Sequence, residues 1–203
     1  MFISDFHLEA GRPFRYAKDL RAFVQREHIS NFVVNGDLFN SPEDAIEILR
    51  DAGSNGLLER LGLNSLAVNF FWVVGSPAHD LANPEAVISG LDPIRVLGDC
   101  VSFAWSANKV LLYHGHDLSA KGALGHGWNR FISKMSLERA WKRFADVDKD
   151  TWVFFGHTHI PGVDSRHRVA NSGGWQKVPF VKPSKTALLL LEGRSLPELV
   201  TIA

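Results

Sequence analysis

"FFGHTHIP", Phe154 to Pro161, is the stretch whose reading decides the fold. Two histidines stand one residue apart behind Gly156, directly after the apolar run Trp152-Val153-Phe154-Phe155. A short apolar run that ends at glycine reads as a buried strand. Alternation along an extended backbone would point both imidazoles to one side and turn Thr158 away into the loop. In α/β folds chemistry gathers at strand ends. The other strand ends are therefore the next places to look.

They are polar in the same way. Asp5 and His7 follow "MFIS", Asp37 follows "NFVVNG", His79 and Asp80 follow "FFWVVGSPA", and His114 and His116 follow "KVLLY". Strands of one sheet can bring such ends to one edge, so residues far apart in sequence can converge. Mixed imidazole and carboxylate donors suit Mn, Fe or Zn better than Ca or Mg. Two such ions a few ångströms apart can share a carboxylate, activate a water and clamp a phosphoryl group.

Composition narrows the alternatives. With 203 residues and 45% apolar content the chain can close one full core. Lys+Arg and Asp+Glu balance at 22 each, which argues against the basic track of a nucleic-acid binder. No apolar stretch has the length of a membrane span and no basic-then-apolar leader is visible, so a cytoplasmic protein is expected. The single cysteine, Cys100, excludes an internal disulfide framework and is expected to be buried packing. His28 and His167 fall outside every motif and read as ordinary residues.

The coarse pattern is helix and strand alternating first, then strands in succession. Apolar spacing predicts a helix within Arg12–Ile29. Ser41-Pro42-Glu43-Asp44 is a helix start, with the helix stopping near Gly53 and a second short one over Leu57–Leu61. "DCVSFAW" and "KVLLY" read as strands joined by a tight turn. Trp128 to Phe144 reads as a helix with an apolar stripe that includes Met135, Trp141 and Phe144, and a solvated basic face. "KTALLLLE" and "LPELVTI" join by a short turn and are expected to be antiparallel. Mixed sheets in one domain follow from this order.

The ordered series D-x-H, G-D, a glycine loop ending in His-Asp, H-G-H and G-H-x-H resembles the calcineurin-like metallophosphoesterase family, from Asp5 to His159. "ANSGGW", Ala170 to Trp175, is similar to that family's closing segment. The resemblance implies an α/β (α+β) fold, a β-sandwich of two mixed sheets flanked by helices, spanning 1–203 as a single domain. It implies a phosphatase or phosphodiesterase with two divalent transition-metal ions, Mn foremost and Fe, Zn or Ni as alternatives. Asp5, His7 and His159 would hold one ion, His114 and His157 the other, and Asp37 would bridge them. His79 would protonate the leaving oxygen and Asp80 would orient its ring, since a carboxylate on the far nitrogen fixes the tautomer.

The match breaks in one loop. The family's metal-binding asparagine should precede His79, where Ala78 stands in Gly75-Ser76-Pro77-Ala78-His79. The second metal site is therefore expected to be weak, or to use water or Ser76. The stretch 117–144 is a candidate cap. Ser76, His116, His126 and Trp128 are the candidates for touching a small phosphate-ester substrate. A family branch that cleaves UDP-diacylglucosamine is one alternative, although it carries arginine where His79 stands. A non-catalytic scaffold for protein partners, as in the family's retromer subunit, is the alternative of another class. A nuclease is disfavoured by the neutral charge balance.

Overall fold

The computed structural model describes residues 1–87, 91–117, 129, 134–178 and 181–203. Fifteen elements of regular structure are defined in them. They run β1 (Phe2–Ile3), α1 (Ala17–Arg26), β2 (Asn31–Asn35), α2 (Pro42–Arg60), β3 (Asn69–Val73), α3 (Pro84–Val87), β4 (Ile94–Val96), β5 (Cys100–Trp105) and β6 (Asn108–Tyr113). They continue with α4 (Ser136–Phe144), β7 (Thr151–Phe155), β8 (Gly162–Asp164), β9 (Val169–Asn171), β10 (Thr186–Leu189) and β11 (Glu198–Thr201).

The strands form two mixed sheets, β11-β10-β1-β2-β3-β4 and β5-β6-β7-β9-β8. Strands β1 to β4 pair in parallel, as do β6, β7 and β9, so their carboxyl ends lie on common edges. The pair β10 and β11 is antiparallel, as the short turn required. Strand β1 has two residues yet lies between β10 and β2, inside the sheet. Its brevity is not that of an edge.

Alternation along the strands builds the layers. Phe2, Val33, Val73, Val110, Leu112, Trp152 and Phe154 pack together between the sheets. Their neighbours Ile3, Phe32, Val34 and Trp72 face outward and bury Leu20, Phe23 and Val24 of α1 and Ile48 and Leu49 of α2. Val153 and Phe155 of β7 face outward on the second sheet, with Trp141 of α4 against them. Each fully buried side chain of this size contributes about 1.5–3 kcal/mol by leaving water.

Helix α2 follows the sequence pattern and helix α4 departs from it. Helix α2 starts where predicted, with Ser41 Oγ accepting from the Asp44 backbone N–H at 3.2 Å. It breaks at Gly53, whose φ of 62° is non-helical, and a second helical stretch follows as far as Arg60, as the sequence pattern predicted. Helix α4 buries Glu138 and Lys142 and leaves Phe144 87% exposed, so the apolar stripe does not extend to Phe144. Lys142 is no solvated cation either: its ammonium donates to the carbonyls of Lys149, Thr151 and His167. Cys100 is exposed, contrary to the expectation of packing. It opens β5, whose residues alternate between exposed and half-buried. Among the described residues no helix is long and apolar enough to cross a membrane. Most of the predicted cap, including His126 and Trp128, lies outside the described residues.

Candidate metal centre

The site is built where the two sheets meet at their strand ends. Asn35 closes β2 and donates through its amide to the carbonyl of Phe154 at 3.0 Å, across to the other sheet. The Asn35 carbonyl in turn accepts from Nδ1 of His114 at 2.8 Å. Ser4 Oγ reaches Ser172 Oγ at 2.7 Å and the Gly173 carbonyl at 2.9 Å. The backbone N–H of Trp175 donates to the Asp5 carbonyl at 3.0 Å. These bonds set the spacing between the edges, and the ligand residues hang from them.

Three overlapping trios of donor atoms result. Asp5, His7 and His159 form one, His7, Asp37 and His79 a second, and Asp37, His114 and His157 a third. Nε2 of His159 lies 3.1 Å from an Asp5 oxygen and 3.3 Å from Nε2 of His7. Two nitrogens each about 2.1 Å from one tetrahedral ion would be about 3.4 Å apart. Nε2 of His114 lies 3.0 Å from Oδ2 of Asp37. That nitrogen is buried with no aligned hydrogen bond among the described residues. With Nδ1 spent on Asn35, Nε2 is the nitrogen that can turn a lone pair to a cation once its proton has left. The donor set fits transition ions of the Mn, Fe and Zn kind.

The backbone here is unusual. Asp5, His7, Asp37, His157 and His159 all have φ between 47° and 59°. Left-handed backbone is rare outside glycine and persists only where the surroundings enforce it. The enforcement is visible in close backbone contacts. At Gly36, also at positive φ, any side chain would strike the His114 ring, and one at Gly174 would strike His159. The two histidines of the G-H-x-H stretch are thus not an extended strand. They leave β7 in left-handed turns and join different trios. Thr158 between them turns inward rather than into the loop, and donates to Glu138 at 2.7 Å.

Charges in the centre are interdependent. Burial pushes the Asp5 carboxyl up, but the imidazoles of His159, His114 and His7 outweigh it and hold Asp5 well below the usual range. Asp37 behaves alike: burial raises it, and His114 beside it brings it down. Burial lowers His7 to about 4, against the pull of Asp37 and Asp5. His114 also suffers burial, yet Asp37 and Asp5 raise it to about 10.

The loop after β3 differs from the expectation. His79 does face the centre, its Nε2 3.9 Å from Oδ2 of Asp37. Its Nδ1, however, meets the carbonyl of Asn40 at 2.7 Å, not Asp80. Asp80 is buried and accepts from Leu38 N, Phe39 N, Gly75 N and Trp72 Nε1. It ties the Asp37 turn to the β3 exit and has no oxygen left for the imidazole. Burial and Asp37 raise its carboxyl to about 7, against the pull of those donors. Ser76 reaches Asp37 through its backbone N–H at 2.9 Å, while its Oγ accepts from Ala78 N. Ala78 is exposed, and among the described residues His116 joins no trio. Nδ1 of His116 is buried without a partner among the described residues.

Sequence reasoning missed Asn40 and Glu138. Glu138 is buried under the G-H-x-H turn and also accepts from Asn129 at 2.7 Å and Asn171 at 3.0 Å. A carboxylate on a helix with charged neighbours gives no sign of this in the sequence.

The calcineurin-like phosphoesterase model matches residues 1–161. Among solved structures, the phosphoesterase Yfce from E. coli aligns with TM-score 0.53 at 16% identity, over 100% of this chain and 98% of that one. A novel archaeal phosphodiesterase aligns with TM-score 0.53 at 13% identity, over 98% and 96%. A Vps29 variant from Entamoeba histolytica aligns with TM-score 0.50 at 19% identity, over 98% and 96%. At such identities the likeness is one of fold. No curated protein sequence matches the chain. With two mixed sheets, flanking helices and a family match over most of its length, the chain belongs to the calcineurin-like phosphoesterases.

Proposed function

We propose that the protein is a metal-dependent phosphoesterase that hydrolyses a phosphate mono- or diester at a dinuclear centre. One observation carries this: imidazole nitrogens and carboxylate oxygens from five strand exits converge in three overlapping trios, with His114 Nε2 buried and without an aligned hydrogen bond among the described residues. A buried unpaired polar atom costs about 1–3 kcal/mol, so such a set makes sense where ions complete it. Asp5, His7 and His159 would hold one ion, His114 and His157 the second, with Asp37 between. Mn suits this mixed donor set first, with Fe and Zn as alternatives. Bound there, the ions would act as Lewis acids on the phosphoryl group and lower the pKa of a water to about 7.

The chain's own residues do the rest. The Ser76 N–H holds Oδ1 of Asp37 and so aims Oδ2 into the centre. The Asn35 carbonyl fixes the His114 tautomer. The Asn40 carbonyl does the same for His79, whose Nδ1 must carry a proton to donate there. A second proton on Nε2 makes the His79 ring cationic. That proton is the one delivered to the departing oxygen, leaving a neutral imidazole. His79 reaches solvent, its side chain 32% exposed, which lets it be recharged by water.

The exposed Ala78 favours a second reading, a scaffold that keeps the fold without the chemistry. The buried donor atoms weigh against it, since protein binding has no need of them. The exposed free thiol of Cys100 fits a reducing compartment. Hydrolysis of bis(p-nitrophenyl) phosphate and p-nitrophenyl phosphate by the Mn-loaded protein, abolished by a chelator, is the expected result. Metal uptake with no turnover of either ester would move the assignment to the scaffold.

A further inference from the structure

A cavity of about 400 Å³ opens beside the metal centre, with His7 in its wall. That volume is within the range of small-molecule sites. Phe14, Tyr16 and Trp175 line it together with Arg12, Arg15 and Lys177. The three rings brace one another in tilted and edge-to-face contacts, Trp175 lying 5.8 Å from Phe14 and 5.7 Å from Tyr16. Trp175 is buried, whereas Phe14 and Tyr16 are half-buried and keep part of each ring open. The indole N–H of Trp175 is a buried donor with no acceptor among the described residues.

The charge on the rim is positive. Glu9 is engaged by Arg12 at 2.5 Å. Arg15 lies over the Tyr16 ring at 4.6 Å, and Lys177 is exposed. The wall is also fixed relative to the metal ligands, because Trp175 N bonds the Asp5 carbonyl and Gly174 packs on His159. Aromatic packing alone would explain the ring cluster. It does not explain why part-exposed rings, cations that include Lys185 over the Tyr16 ring at 5.4 Å, and a metal-ligand histidine meet at one cavity.

We infer that this cavity receives a flat aromatic group of nucleobase type, carried by the same phosphoester that meets the metal centre, with Arg15 and Lys177 placed for a further anionic group. The substrate class is then a nucleotide or a nucleotide ester. This rests on the phosphoesterase reading and narrows it.

The test compares two diesters with the same leaving group and charge on the Mn-loaded protein: thymidine 5′-(p-nitrophenyl phosphate) and methyl p-nitrophenyl phosphate. The nucleoside ester should have a kcat/KM roughly tenfold higher, the size that base stacking on a side chain contributes. Tyr16→Ala should bring the ratio towards one, and Tyr16→Phe should keep it. A wild-type ratio near one, or a ratio unchanged in Tyr16→Ala, overturns the inference and leaves the phosphoesterase reading intact. Hydrolysis of neither ester sinks the phosphoesterase reading instead. Calorimetric titration with AMP and with ribose 5-phosphate then decides the cavity separately. Tighter binding of AMP that is lost in Tyr16→Ala supports it, and equal affinities overturn it.

Discussion

His159 and His79 present imidazoles to the same centre by opposite means. His159 is buried in a left-handed turn, its Nε2 3.1 Å from Asp5, with the Gly174 backbone against its ring. His79 stands on a loop whose neighbours Pro77 and Ala78 are exposed, and one hydrogen bond to Asn40 orients its ring. Left-handed backbone at a non-glycine residue costs of order 1–3 kcal/mol and survives only under constraint from all sides. Such constraint suits atoms that must hold an ion at fixed distances. A group that gives up and regains protons needs water instead. The departure from the family pattern, Ala78, falls on the loosely held side.

That contrast breaks most visibly at Asp37. Asp37→Asn removes the carboxylate common to two trios. Metal content should fall below that of the wild type by elemental analysis, and turnover of bis(p-nitrophenyl) phosphate should drop to background. His79→Ala should lower kcat by about 10²–10⁴-fold, the range for loss of a general acid, with metal content unchanged. If His79→Ala loses its ions, the division between holding and proton delivery is wrong. His159→Ala supplies the converse: it should lose both metal and activity.

Proton release sharpens the comparison further. His114, raised to about 10 by Asp37 and Asp5 against its burial, is protonated at neutral pH in the metal-free protein. An ion can use its nitrogen only after that proton leaves. His7, lowered to about 4 by burial, is already neutral and has none to give. Metal binding should therefore release about one proton per chain at pH 7, and affinity should rise with pH up to the His114 value. Calorimetric titration of Mn in buffers of different ionisation enthalpy reads this directly, and no release would contradict it.

Two smaller effects concern support. Asp80→Asn sets an amide group against N–H donors that now meet a carboxylate, and should cost about 1–3 kcal/mol in urea denaturation of the metal-free protein. Glu138→Gln weakens the acceptor under Thr158 and should reduce metal affinity by about tenfold.

The strand-end histidines and aspartates were legible because strands of one sheet can bring their ends to one edge, whatever lies between. Sheet order was less so: a two-residue strand such as β1 carries no pattern that places it inside a sheet. The pairing of His79 with Asp80 failed for a local reason. Adjacent residues leave a turn in different directions, and Asp80 turned towards four N–H donors around the β2 and β3 exits. Helix α4 misled in the same way, because Glu138 and Lys142 are buried by what loops offer them rather than by apolar character. The aromatic cavity joins residues 6–16 with 175–177, a juxtaposition made by the Trp175 to Asp5 bond and visible only in three dimensions.

The central claim is that these buried donor atoms are a metal centre. Diffraction from crystals of the Mn-loaded protein, read at the Mn absorption edge, tests it most directly. Anomalous peaks should appear among Asp5, His7 and His159 and among Asp37, His114 and His157. Absence of anomalous density at both trios under saturating Mn would contradict the account.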